Sequence, residues 1–168
     1  MSTSQLLPNL GDTIFRTVAL LLAAAMPLII PLWQGVDLAL WPSLSSYWRT
    51  PAQALFILSN AATAFYFFSQ PSWRVPAILL TALTAFSLDF FPNAHNLLAV
   101  AFFVSCIAPL WQNAHTVRFK LVYPFVLSAL LLAHSLLLAE IVAIEILVIH
   151  QMIKLGRVWQ VLIKRNLP

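Results

Sequence analysis

An all-α bundle of six membrane-crossing helices is the fold this sequence predicts, and three observations predict it. The 168 residues are 61% hydrophobic and only 8% charged, where a soluble domain carries about 25% charged residues. The mean hydropathy is +0.89. The apolar residues fall into successive runs of about the length that a helix needs to cross a hydrocarbon core about 30 Å thick, roughly 20 residues.

Six segments meet that length, at about 14–34, 51–69, 74–91, 95–112, 119–136 and 138–156. The first, "VALLLAAAMPLII" after Arg16, has a sparse charged region and runs on to Trp33, so it reads as a retained helix rather than a cleaved signal. Pro51 suits the first position of the second helix, with Thr50 before it as a cap. The stretch after Pro124, "FVLSALLLAHSLLLAEIVAIEILVIHQMI", is too long for one crossing and predicts a tight turn near His134 to Leu138. No soluble insert separates these runs, so 1–168 is read as one transmembrane domain.

Basic residues orient the bundle. With the N-terminus in the cytoplasm, Arg16, Arg74, Arg118, Lys120, Lys154, Arg157, Lys164 and Arg165 fall at cytoplasmic ends and only Arg49 outside. The formal charge of +4 therefore follows a membrane rule and does not indicate a nucleic-acid partner. This predicts a multi-pass protein of the inner (plasma) membrane with both termini inside. The tail at about 157–168, "RVWQVLIKRNLP", reads as a basic interfacial helix on anionic lipid or as the end of the last helix.

The longest connection, about 35–50, then lies outside. It holds "PSLSSYWR", with Trp41, Tyr47 and Trp48 suited to headgroup depth. The same side collects Asp89 at the end of the third helix, His95 opening the fourth, His134 closing the fifth and Glu140 opening the sixth. Ionisable groups in a membrane face the bundle or a wet cavity, because lipid exposure is costly. Ala77, Thr81, Ala85 and Asp89 recur every four residues, a small-residue face that would turn Asp89 inward. Glu145, five residues after Glu140, lies on another face, so the two are not a carboxylate dyad.

Three readings of the outer groups follow. Ser43, Ser45, Tyr47, Arg49, Asp89, His95 and Glu140 would hold a lipid headgroup, and Asp89, His95, His134 and Glu140 would ligate zinc or exchange protons. Alternatively, the same groups cap helix ends and pair with one another. A third arrangement uses His95 with His134 and His115 with His150 as axial pairs for two haems. Ser59 and Asn60 would bond between helices or line a cavity, and buried Cys106 would pack. A phosphate loop, a nucleophile elbow and a metalloprotease helix are all missing, in keeping with three glycines in the chain.

"PSLSSYWRTPAQALF" followed by "DFFPNAHNLLAVAFF" resembles a group of bacterial six-helix membrane proteins similar to the DRAM and FGF-receptor-activating-protein-like proteins. The resemblance covers about residues 36–110 and, more weakly, Leu138 to Leu155. It is carried by Ser43, Ser45, Tyr47, Thr50, Pro51, Phe91, Pro92, His95, Phe102, Phe103 and Glu140, and departs at Trp48 and Arg49. It implies a six-helix membrane fold linked to lipid, without a catalytic residue set. Alkaline-ceramidase and progestin-receptor-like hydrolases are similar only in Ser59, Asp89 and His95, and their terminal His pair is missing, so zinc hydrolysis does not carry over. The functional expectation is a membrane protein that binds or handles a lipid or amphiphile at its outer leaflet. The alternative is an accessory or scaffold subunit docked on larger membrane proteins.

Overall fold

The computed structural model describes residues 10–34, 43–112 and 121–166. Among them every regular element is helical, and there are six α-helices: α1 (Leu10–Gln34), α2 (Gln53–Phe68), α3 (Arg74–Ala85), α4 (Pro92–Gln112), α5 (Val122–Leu127) and α6 (Leu136–Asn166). Short 3-10 turns precede α2 (Leu44–Arg49), precede α3 (Pro71–Trp73) and continue α5 (Ser128–Ala133). Each helix packs on the next along the chain, and α6 closes back on α1.

Helix starts follow local chemistry. The Thr50 hydroxyl accepts from the Ala52 N–H at 3.2 Å, and Gln53 N donates to the Thr50 carbonyl at 3.0 Å, so Thr50 and Pro51 form the turn that leads into α2; the helix itself starts at Gln53 with Ala52 as its N-cap, two residues later than the expected Pro51 with Thr50 as cap. The turn foreseen near His134 falls at His134–Ser135, where the Ser135 hydroxyl accepts from the Leu138 N–H at 3.3 Å and caps α6.

Two further expected boundaries are corrected. The third helix ends at Ala85, six residues before the expected 91, because Phe86 turns extended (φ −95°, ψ 96°) and Pro92 bars Phe91 from the helical region. Asp89 consequently leaves the helix, and of its supposed small-residue face Ala77 is buried while Thr81 and Ala85 are exposed. The fifth segment is an α-helix of only 6 residues that tightens into a 3-10 turn. The tail beyond Arg157 is no separate element; α6 runs unbroken through Asn166.

Two of the helices, Pro92–Gln112 and Leu136–Lys164, are long and apolar enough to cross a bilayer; Gln53–Phe68 and Val122–Ala133 are apolar but shorter. Outward faces are apolar too. On α4 Leu97, Val100 and Val104 form an exposed stripe, and a helix apolar all round belongs in a core or a membrane. Hydroxyls behave accordingly: those of Thr17, Thr63, Thr81, Thr84, Ser105 and Ser128 each donate to a carbonyl three or four residues back. That habit hides a polar group where no water is at hand.

The core runs through the bundle centre, from Leu20 and Phe67 past Trp73, Phe102 and Cys106 to Leu147 and Leu155. Inside it lies a cavity of about 60 Å³ bordered by Ser59, Asn60 and Thr63 among apolar neighbours. Polar contacts gather at two opposite ends. The 43–50 segment meets the loop after α3 and the starts of α4 and α6 at one end. The lower turns of α1, α2 and α6 meet at the other. The chain is therefore an up-and-down bundle, and Arg49 sits at the end opposite Arg16 and Lys154.

Candidate functional site

The first polar end is built around the 3-10 turn Leu44–Arg49, held down by three partners. Glu140, in the first turns of α6, accepts the Leu44 N–H on Oε2 at 2.7 Å. His95, in the first turn of α4, reaches Ser45: Nε2 lies 2.6 Å from the serine Oγ. Arg49 pairs with Asp89 through Nε and Oδ1, both side chains largely exposed. Ser43 and Ser46 share a 3.3 Å hydroxyl contact. Ser43, Ser45, Ser46, His95 and Glu140 are all buried.

His95 is 1% exposed, and both its ring nitrogens are engaged. Nδ1 lies 2.6 Å from the Phe86 carbonyl oxygen, which can only accept, so in the neutral ring the proton sits on Nδ1. Nε2 is left as the acceptor of the Ser45 hydroxyl proton. A serine hydroxyl on an imidazole whose other nitrogen is fixed is the arrangement that activates nucleophiles. The surrounding donors are spent, however: the Leu44 N–H goes to Glu140 and the Ser46 N–H to the Ser43 carbonyl at 3.1 Å. An oxyanion would find neither of these two donors free.

The structure thus joins Ser43, Ser45, Glu140 and His95 into one buried clasp and places the Arg49–Asp89 pair on the exposed rim beside it. The Tyr47 side chain lies outside the described residues, as does His115. Asp89 does not turn inward; its side chain is 41% exposed and faces Arg49. His134 stands exposed at the turn before α6. Among the described residues no three His, Cys, Asp or Glu side chains converge as a metal site, so Asp89, His95, His134 and Glu140 do not form the expected zinc set. Nor is His95 free for axial haem ligation, with both ring nitrogens engaged.

Beside the clasp an apolar groove of about 280 Å³ runs between α4, the Val122–Ala133 stretch and α6. Ala99, Phe103, Phe125, Leu132, Ala139 and Ala143 line it, and Glu140 stands in its wall. Its size is near the lower end of small-molecule pockets, about 300 Å³.

The opposite end holds a second polar cluster that the sequence reading missed. Gln151 Oε1 accepts from the Tyr66 hydroxyl at 3.0 Å and from Gln70 Nε2 at 3.2 Å, and Lys154 Nζ donates to Gln70 Oε1 at 2.6 Å. The Arg16 guanidinium lies 5.9 Å from the Tyr66 ring centre while pairing with Asp12 at 2.7 Å. Trp73 stacks between Phe67 and His150, at 4.7 and 5.8 Å. Part of the sequence signal was there: Gln151 and Lys154 stand three apart on one face of α6, while Tyr66 lies near the end of α2 and Gln70 in the extended residue just beyond it.

In comparisons with known proteins, the chain matches no family model, no curated protein and no solved structure.

Proposed function

We propose that the chain is a six-pass inner-membrane protein, both termini in the cytoplasm, that binds a lipid or other amphiphile at its outer end. The carrying observation is the groove of about 280 Å³ whose wall is apolar except where Glu140 and Ser128 enter it. An amphiphile needs an apolar trough that ends on a polar group, and here the same carboxylate also fastens the Leu44–Arg49 turn. The turn is then a lid whose seating on Glu140 responds to what occupies the trough. Headgroup contacts are assigned to the exposed rim, Arg49 and Asp89, because Ser45 and His95 already satisfy each other.

Six crossings are supported by the alternation of the helices between two polar ends and by their apolar outward faces. The orientation follows from the basic residues, Arg16, Arg74 and Lys154 at one end against Arg49 at the other. Residues that carry the resemblance to the DRAM-like proteins, Ser45, His95 and Glu140, are also the residues of the clasp, in keeping with a shared outer-end design.

Filling the trough tests the reading. Ala143→Phe and Ala139→Phe put a ring into the groove, at a cost of about 1–3 kcal/mol for overpacking. Gently purified wild-type chain should retain an amphiphile in native mass spectrometry and both variants should lose it while still accumulating. Equal retention in all three ends the proposal. A fixed-stoichiometry assembly with larger subunits and no retained amphiphile would favour a scaffold role instead.

A further inference from the structure

The trough beside the clasp offers its guest polar groups of one kind only. Its lining holds two polar side chains, Glu140 and Ser128, and no lysine, arginine or histidine. The Ser128 hydroxyl gives its proton to the Phe125 carbonyl at 2.6 Å, so its oxygen is left to accept. Glu140 accepts the Leu44 N–H on Oε2 at 2.7 Å. Its Oε1 has no partner among the described residues, and the two ion pairs found there, Asp12–Arg16 and Arg49–Asp89, do not include it.

A carboxyl group only 9% exposed is thus held in an apolar wall by a single backbone hydrogen bond. Buried charges are paired, because the desolvation of an isolated one costs far more than a hydrogen bond returns. The Leu44 N–H is neutral and cancels no charge. Val100, Val104 and Leu132 of the trough lining are exposed, so a guest carrying the missing partner can enter sideways from the outer surface of the bundle.

The head of that guest must suit Glu140. A phosphate or carboxylate would bring like charge to it and find no donor side chain in the wall. An alcohol supplies a proton but no charge. An amine fits whichever partner holds the shared proton: as ammonium it pairs with the carboxylate, and as neutral amine it accepts from the carboxyl group. The tail must fit as well. From Ala99 to Ile107 the α4 wall rises about 12 Å, and the volume is about 280 Å³. That leaves a cross-section of about 23 Å², the space of one chain whose atoms keep van der Waals contact at about 4–4.5 Å. We propose that the trough takes a single-chain amine amphiphile, its tail between α4, the Val122–Ala133 stretch and α6 and its nitrogen on Glu140 Oε1. This rests on the reading of the trough as an amphiphile site and adds the charge of the head and the number of tails. Arg49 and Asp89 on the rim then meet only what the head carries beyond the nitrogen.

Three probes with one chain length and different heads test it: dodecylamine, dodecanol and dodecanoate, each offered to the full chain in phosphatidylcholine nanodiscs, with retention read by native mass spectrometry. The wild type should bind the amine about tenfold more tightly than the alcohol, the gain of a hydrogen bond to a charged group over a neutral one, and dodecanoate most weakly. Glu140→Gln keeps an acceptor for the Leu44 N–H and removes the charge, so it should bind amine and alcohol alike. Ala143→Phe should lose all three probes. Dodecanol or dodecanoate bound by the wild type as tightly as dodecylamine, with Ala143→Phe binding neither, overturns the amine assignment and leaves the trough as an amphiphile site. A full amine preference in Glu140→Gln overturns it too, because the attraction then lies elsewhere. If the wild type retains no probe, or Ala143→Phe retains all three as the wild type does, the amphiphile reading falls and this inference with it.

Discussion

The two polar ends of this bundle carry similar side chains and use them in opposite ways. At the clasp, the buried groups named above answer one another: imidazole to hydroxyl and carbonyl, carboxylate to backbone N–H. At the other end, a comparable number of buried groups leaves four nitrogens unanswered. The difference teaches that a buried polar cluster in an apolar chain is not by itself a binding site. What counts is whether its donors and acceptors balance. The clasp is balanced and holds a turn in place, whereas the opposite cluster leaves Trp73 Nε1, His150 Nε2, Gln151 Nε2 and Arg16 Nε without a hydrogen-bond partner among the described residues.

Substitutions should expose that contrast as stability differences. The largest effect is expected from His95→Ala, which strands the Ser45 hydroxyl and the Phe86 carbonyl and leaves a void, for about 3 kcal/mol in detergent unfolding. Glu140→Leu should cost about 1–3 kcal/mol by leaving the Leu44 N–H unpaired. Glu140→Gln should recover most of that, since an amide oxygen can still accept; an equal loss in both variants would mean that the charge, not the hydrogen bond, seats the turn. On the rim, Arg49→Ala should change stability by only about 0–1 kcal/mol, as exposed ion pairs do. Smallest of all, His150→Phe should be neutral or slightly stabilising, because it removes an unpaired buried atom and keeps the aromatic contact with Trp73. If His150→Phe destabilises as strongly as His95→Ala, the two ends do not differ in the way proposed.

Much of the scaffold was legible in the sequence. Pro51 with Thr50 marked the turn into α2 although the helix starts two residues later, and the breakerless run after Pro124 required the turn that occurs at His134–Ser135. Apolar runs also gave the helix count. The third helix was overread because apolar composition continues through Phe86, Phe90 and Phe91 after helical geometry has stopped; only Pro92 marked the break. Asp89 accordingly moved from an inferred inward face to the rim.

Pairing was less legible than placement. The sequence brought Ser45, His95 and Glu140 to one end, but no local spacing fixes a bond between residues 50 apart, as Ser45 and His95 are, or 96 apart, as Leu44 and Glu140 are. The opposite cluster escaped notice for another reason. Gln70, Gln151 and Tyr66 are uncharged and belong to no motif, and only tertiary packing brings them together and leaves Gln151 Nε2 and Trp73 Nε1 without a partner among the described residues.

The unequal lengths of α5 and α6 have a mechanical consequence. The Val122–Ala133 stretch spans about 21 Å along its axis, whereas the 31 residues of α6 span about 46 Å. If the bundle spans a membrane as proposed, a hydrocarbon layer about 30 Å thick would be pinched on one flank and overshot at the tail. The flank that would be pinched is the one that carries the groove. Bilayer thickness would then act as a tuning variable for the proposed trough, thin membranes relaxing it and thick ones pressing lipid into it.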